Sequence, residues 1–361
     1  MQLASTQLPR YFSPPVKTRY TVGMTVDLSF IICEKIGAES ALRYSLILTS
    51  WNQGNFDRSR NQKNAYIKLN VLMTTMESPF VRALTEADLE FAYKLNIGER
   101  WNDRKEDLLR MYTYQPEGCF IAEVKKKPVG HVFTVSYGKL GWLGLLIVEA
   151  EYRRKGIATQ LMNKAIDYLS QHGAETIKLE AATHVSELYR KLGFIDEYGS
   201  LRLSKTVKKP APQKKGGSMA ITKENINKIA TFDKKYFGAD RTKVLTSLFT
   251  ENPQLCLASY DKATIEGYLM CRKAENGYNL GLFVCNPENT QTAKNLLQAG
   301  MNSLGNTTLY VGVPETNKNA VDLLTGHGFT QYSRSIRMRL GPELTNEKIR
   351  GIFAIGGPMK G

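Results

Sequence analysis

The chain has 361 residues, with 49 Lys+Arg against 34 Asp+Glu and a formal net charge of +15. That length predicts two domains, each long enough to bury a core. A hydrophobic share of 42% with 23% charged residues excludes a wholly disordered chain, and 29 Gly with 13 Pro exclude a collagen-like or low-complexity one.

In chain order, residues 1–72 hold nine basic and four acidic residues and have irregular patterning, so they read as an extension rather than a domain. Met73 and Met76 precede the first well-patterned strand, which allows the physiological chain to begin there. The alternative is a targeting peptide, because residues 1–26 lack acids and carry Arg10, Lys17 and Arg19. Residues 73–204 hold 18 basic and 18 acidic residues and form the first regular unit. A strand is expected at 80–84, then a helix that Thr85 can cap and a second helix over 103–112. Strands follow at 119–124, 128–137 and 142–148. A helix over 156–172 has Ile157, Leu161, Met162, Ala165, Ile166 and Leu169 at helical spacing and ends at Gly173. A strand at 177–182, a short helix at 186–191 and the start of a last strand at 202–203 complete the unit.

Residues 205–218 carry five lysines, no acid, and Pro and Gly without periodicity, the signature of an extended basic linker. Residues 219–342 repeat the earlier order of strands and helices, and 343–361 are read as a C-terminal tail. Two anchors support a tandem duplication. Val129-Gly-His-Val132 aligns with Glu266-Gly-Tyr-Leu269, and Leu188-Tyr-Arg-Lys-Leu-Gly-Phe194 with Leu323-Leu-Thr-Gly-His-Gly-Phe329, at offsets of 137 and 135. The fold class is therefore α/β, two tandem domains, each a mixed, mostly antiparallel sheet flanked by helices.

Several classes are disfavoured. Cys33, Cys119, Cys256, Cys271 and Cys285 form no C-x-x-C pair and are odd in number, so a zinc site or disulfide framework is not expected. Buried reduced thiols and a cytoplasmic location fit better. The four His are scattered and suggest no metal site. No apolar run approaches the ~18–20 residues of a membrane span. Two thirds of the positive excess lies in the extension and the linker, so nucleic acid and membrane partners are not expected.

The chemistry concentrates in Leu145-Leu-Ile-Val-Glu-Ala-Glu-Tyr-Arg-Arg-Lys-Gly-Ile-Ala158. A buried strand ends at Val148, and Gly156 opens an amphipathic helix. Unpaired amides at a helix start, with no Cβ in the way and Arg153, Arg154 and Lys155 beside them, form a cradle for phosphate or pyrophosphate. A solvated basic turn is the competing reading.

Arg153-x-x-Gly156-x-Ala158 after a strand resembles the acetyl-CoA pyrophosphate loop of the GNAT N-acetyltransferases, and Leu188–Phe194 resembles that family's closing motif. The likeness covers 79–204, and the second copy resembles the degenerate companion domain of tandem GNAT proteins. The resemblance implies acetyl-CoA as cosubstrate, no metal, and direct attack by a primary amine of a small molecule or amino-acid-like acceptor. It implies cofactor binding at Leu146, Ile147, Val148, Arg153, Arg154, Lys155, Gly156, Ile157 and Ala158. The amides of Ile147 and Val148 would face the pantetheine and the thioester carbonyl. Tyr189 would protonate the departing thiolate; packing of its helix onto the sheet is the alternative. A non-enzymatic CoA-responsive or structural protein retaining the fold is the alternative for the whole chain.

The general base is not specified. Trp142 and Gly144 stand where some relatives offer one, and neither ionises. Glu149, Glu180 and His184 are near in strand order but read first as surface or ion-paired positions, which leaves water as the default. Trp101 and Asn102 are candidates for the acceptor site. The second copy lacks the loop, with Pro287 and Glu288 in its place and Leu324 opposite Tyr189. It is therefore not expected to bind acetyl-CoA productively. Asp240 and Arg241 read as a salt bridge or as acceptor contacts.

Overall fold

The computed structural model describes residues 79–208, 218–343 and 346–361. The extension, its alternative start sites, Cys33 and most of the linker lie outside the described residues. The first half opens with β1 (Phe80–Ala83), α1 (Leu89–Gly98) and α2 (Lys105–Tyr114). The strands β2 (Phe120–Val124), β3 (Lys127–Tyr137) and β4 (Leu140–Val148) form an antiparallel meander. It continues with α3 (Ile157–Gln171), β5 (Thr176–Ala182), α4 (Ser186–Lys191) and β6 (Ile195–Val207).

The second half repeats that order. It runs β7 (Ser218–Ala220), α5 (Ile226–Phe237), α6 (Thr242–Glu251), β8 (Cys256–Asp261), β9 (Thr264–Lys273) and β10 (Tyr278–Cys285). Then come α7 (Thr290–Leu304), β11 (Thr307–Pro314), α8 (Lys318–Gly326) and β12 (Thr330–Leu340). The last 13 residues add a short strand, β13 (Ile352–Ala354).

All thirteen strands belong to one sheet, with the path β1-β2-β3-β4-β5-β12-β6-β11-β10-β9-β8-β7 and β13 on β10. The two halves exchange their last strands. β12 lies beside β5 of the first half, β6 lies beside β11 of the second, and β6 and β12 pair with each other, all antiparallel. Each half's sheet is therefore completed by the other. Lys205–Val207, expected in the linker, instead extend β6 along β11. The residues expected to form a free tail are built into the fold. Ile352, Phe353, Ala354 and Met359 are buried, the indole of Trp142 donates to Pro358 O at 3.0 Å, and the Tyr137 hydroxyl donates to Lys360 O at 2.9 Å.

Helices α1, α2, α5 and α6 cover one face of the sheet, over a core of Leu108, Met111, Phe133, Trp142, Val244, Leu248 and Tyr268. Helix α3 covers the other face in the first half, and α7 does so in the second. The four described cysteines, Cys119, Cys256, Cys271 and Cys285, are buried free thiols. Among the described residues no helix is long and apolar enough to cross a membrane, and no His/Cys/Asp/Glu group is arranged to hold a metal ion.

Candidate active site

Strands β4 and β5 run parallel and pair only from Leu140–Thr176 to Leu143–Leu179. Beyond that point they diverge, while β4 stays bound to β3 as far as Gly130–Val148. Leu145 sits at the divergence with φ +53°, a left-handed conformation rare for a branched side chain, beside a register shift in the β3–β4 ladder. The result is a wedge in which one edge of Leu146–Val148 is released from sheet pairing. A cleft of about 1330 Å³ occupies this wedge.

The turn from Val148 into α3 closes one end of the cleft. Gly156 caps α3 at φ +79°, and a Cβ added there would meet nothing within 4 Å. The four amides that start a helix lack partners within it, and here the cap has no side chain to satisfy them. The space an anion needs is therefore open, and the cradle fits a phosphate group. Arg154, also left-handed at φ +61°, lines the cleft and is exposed. Arg153 is turned back: its Nε donates to Val148 O at 2.8 Å and its guanidinium pairs with Glu99. It braces the turn. Lys155 lies over the Tyr152 ring at 5.1 Å. Ile157 is buried beneath the helix, with the side chains of Leu161 and Ala165.

Of the residues expected to hold the cofactor, Leu146, Ile147, Val148, Arg153, Arg154 and Ala158 line the cleft. Lys155, Gly156 and Ile157 do not line it with side chains; they contribute as the start of α3. Tyr189, on α4, lines the same cleft and is 8% exposed. Burial pushes its phenol up to about 12, so it stays protonated and able to donate. His184 also lines the cleft, whereas Glu149 pairs with Lys127 at 3.1 Å near the surface.

The cleft is a chamber to which both halves contribute residues. Trp101 and Asn102 line it. Asn102 clasps the β9–β10 turn: Asn276 N donates to its Oδ1 at 2.7 Å, and its Nδ2 donates to Asn276 O at 3.2 Å. Asp103, Arg202 and Arg272 also line the chamber and were not foreseen. Burial lifts the Asp103 carboxyl above the usual range, against the pull of Arg272. Glu180 is not a surface group. It accepts from Arg337 Nε at 2.6 Å and Ser335 Oγ at 2.6 Å. Burial opposes its charge, but Arg337 and Arg202 outweigh that and hold the carboxyl low, unsuited to a base. Arg241 forms a buried two-point ion pair with Asp233 at 2.7 and 2.8 Å, and Asp240 accepts from Thr242 N at 2.9 Å. Both are structural.

The chain is similar to known proteins. Residues 81–194 match the Acetyltransferase (GNAT) family, and residues 229–354 match an Acetyltransferase (GNAT) domain. The holothin acyltransferase of Pseudoalteromonas sp. (strain SANK 73390) is 24% identical over 258 residues, 70% of this chain and 84% of that one. A putative acetyltransferase of Pyrococcus horikoshii superposes with a TM-score of 0.67 at 26% identity, over 78% of this chain and 96% of that one. A tandem GNAT protein from the clavulanic acid biosynthesis pathway shares the fold, with a TM-score of 0.51 at 13% identity, over 74% of this chain and all of the other.

Proposed function

The chain belongs to the GNAT acetyltransferase family, carries one of its domains in each half and is an acyltransferase, and from that premise we propose that its first half transfers the acetyl group of acetyl-CoA to a primary amine of a small, amino-acid-like molecule. One observation carries the reading: the open wedge beside β4, the uncapped start of α3 and Tyr189 share one cleft.

Acetyl-CoA supplies the activated thioester. The amides at the start of α3, with Arg154, would hold its phosphates. The released edge of Ile147 and Val148 would face the pantetheine, and an amide there would stabilise negative charge on the carbonyl oxygen. The amine nitrogen bonds to the carbonyl carbon, the carbon–sulfur bond breaks, and Tyr189 donates its proton to the leaving thiolate. The proton released by the amine passes to water in the cleft, and Tyr189 regains a proton from water. The products are an N-acetylated acceptor and the free thiol. The buried free cysteines fit a reducing cytoplasm as the site of this activity.

Titration calorimetry with acetyl-CoA, followed by thiol release with a panel of amines, tests the reading. Binding at one site per chain with amine-dependent thiol release is the expected result. No binding of acetyl-CoA overturns it.

A further inference from the structure

The core behind the wedge holds a polar side chain where an apolar one would pack. Helix α1 lays Leu89 and Ala92 on a cluster that includes Phe133 of β3 and Leu145 of β4. His131 stands two residues before Phe133 on the same face of β3, its ring edge-on to that of Phe133 at 5.4 Å. It is fully buried, and neither ring nitrogen completes an aligned hydrogen bond among the described residues. Burial pushes its pKa down to about 4, so the ring is neutral and carries a single N–H.

Two backbone carbonyls lie against that ring, those of Leu145 and Ala92. The Ala92 carbonyl has its donor within α1, at the amide of Asn96. The Leu145 carbonyl belongs to an irregular stretch. His131 is paired with Ile147 and Phe133 with Gly144, so two residues of β4, Leu145 and Leu146, stand against Val132 alone. On the other side β5 has already parted, after Leu143–Leu179. The side chains carry the mark of this bulge. Trp142 and Leu145 lie in the core under α1 and α2, and a Cβ on Gly144 would meet Met359 of that core. Leu143 and Leu146 lie with the cluster under α3. The alternation therefore slips at Gly144–Leu145, where two successive residues share a face.

A carbonyl of a regular strand lies in the plane of the sheet, toward the next strand. The ring of His131 stands on the face that carries α1, so it meets the Leu145 carbonyl on that face. A trans peptide holds the following N–H anti to its carbonyl. The Leu146 amide is thereby turned to the opposite face, where Leu143, Leu146, Ala158 and Met162 line the cleft. We infer that His131 is a positioning residue for acetyl transfer: its N–H steadies the Leu145 carbonyl and so aims the Leu146 amide at the thioester carbonyl of bound acetyl-CoA. This rests on the acetyl-transfer reading above and names the amide that acts there. The His131 bond is completed when the cofactor fills the wedge, since hydrogen bonds that serve a reaction often align only in the complex. A phenyl ring at this position would suit the surrounding core better, because a buried polar group without an aligned partner weakens the fold.

The test is the infrared difference spectrum of carbonyl-labelled acetyl-CoA bound to the full chain, with calorimetry and thermal unfolding of the same proteins. In the wild-type protein the thioester C=O stretch should fall below its value in free acetyl-CoA, because an amide N–H polarises the carbonyl. His131→Phe keeps a ring and removes the N–H. It should lose most of that downshift while it still binds acetyl-CoA and unfolds at an equal or higher temperature. His131→Gln, which offers an N–H from a flexible chain, should keep part of the downshift. Should His131→Phe fail to fold, His131→Leu takes its place under the same criteria. A merely structural role for His131 predicts the reverse, a lower unfolding temperature with the downshift intact, and that result overturns the proposal. It is equally overturned by a wild-type complex without a downshift, or by a downshift lost to the same extent in His131→Gln and His131→Phe. Absence of acetyl-CoA binding by the wild-type protein would instead sink the transfer reading itself.

Discussion

The two halves make the same wedge and fill it differently. In the first, β4 and β5 part after Leu143 and the gap is left as a cleft. In the second, β10 and β11 pair only at Tyr278–Leu309 and Asn279–Tyr310 and then part in the same way. There the chain's own β13 enters. It pairs antiparallel with Phe283 and Val284, and Ile355 N donates to Gly312 O at 2.9 Å on the other side. The edge that in the first half is unpaired is in the second half consumed by backbone. The helix starts differ in the same sense. Helix α3 begins at a bare glycine, whereas Asn289 caps α7 with its own side chain, accepting from Thr292 N at 3.2 Å, next to the acid Glu288. The two halves share one frame, and the second wedge holds β13 and a capped helix where the first is open. Gly144 and Gly281 mark the common origin. At both, an added Cβ would collide with residues 355–359, at 2.5 Å from Met359 Cα in the first case.

The largest effect is expected from making the open wedge resemble the closed one. Gly156→Glu places a carboxylate in the empty space before α3 and forces a left-handed backbone on a residue with a Cβ. Acetyl-CoA binding should vanish in calorimetry while the unfolding temperature changes little; retained affinity would break the assignment of the cradle. Tyr189→Phe should come next. It removes the proton donor but keeps the ring against Phe194, whose centroid is 6.2 Å away. Turnover should fall roughly a hundred-fold with acetyl-CoA affinity preserved, and unchanged kcat would return Tyr189 to a packing role.

Much of this comparison was legible in the sequence. Helix α3 was expected over 156–172 and runs over Ile157–Gln171, because its apolar spacing and its flanking glycines are local signals. Gly156 and the departures at Pro287, Glu288 and Leu324 were readable for the same reason, whereas Tyr189 was singled out by the family resemblance. The exchanged strands were not. β6 showed only its residues 202–203, since Arg202 and Lys205 break an apolar alternation and find partners at Ser335 and His327, far along the chain. β12 carries Arg337 and Arg339, whose partners Glu180 and Glu197 lie in the first half. The residues 349–361 lack periodicity, and what makes them structural is a gap in another part of the chain.

A smaller effect should follow from loosening the plug. Asn317 is 2% exposed, and its Nδ2 donates to the carbonyls of Ile349, Arg350 and Ile352 at 3.1, 3.1 and 2.9 Å. Its Oδ1 accepts from Ala320 N at 3.2 Å at the start of α8. Asn317→Ala strands buried carbonyls and removes a cap, a cost of about 2–4 kcal/mol. An unfolding temperature lower by roughly 5–10 °C should register it. Acetyl-CoA stoichiometry should nevertheless stay at one per chain, because the second wedge has no anion cradle to expose. A stoichiometry of two would show that β13 alone keeps that wedge closed.

The smallest effect separates the two wedges by what burial does to a phenol. The second half has Leu324 where the first has Tyr189, so the phenol at that position belongs to the first wedge. An ordinary tyrosine would begin to lose its proton near pH 10. Burial raises Tyr189 to about 12, so the acid stays protonated through that range. Turnover at saturating acetyl-CoA and acceptor should therefore hold level from about pH 8 to pH 10, with no descending alkaline limb. A fall centred near pH 10 or below would mean that the proton donor is a more exposed group than Tyr189.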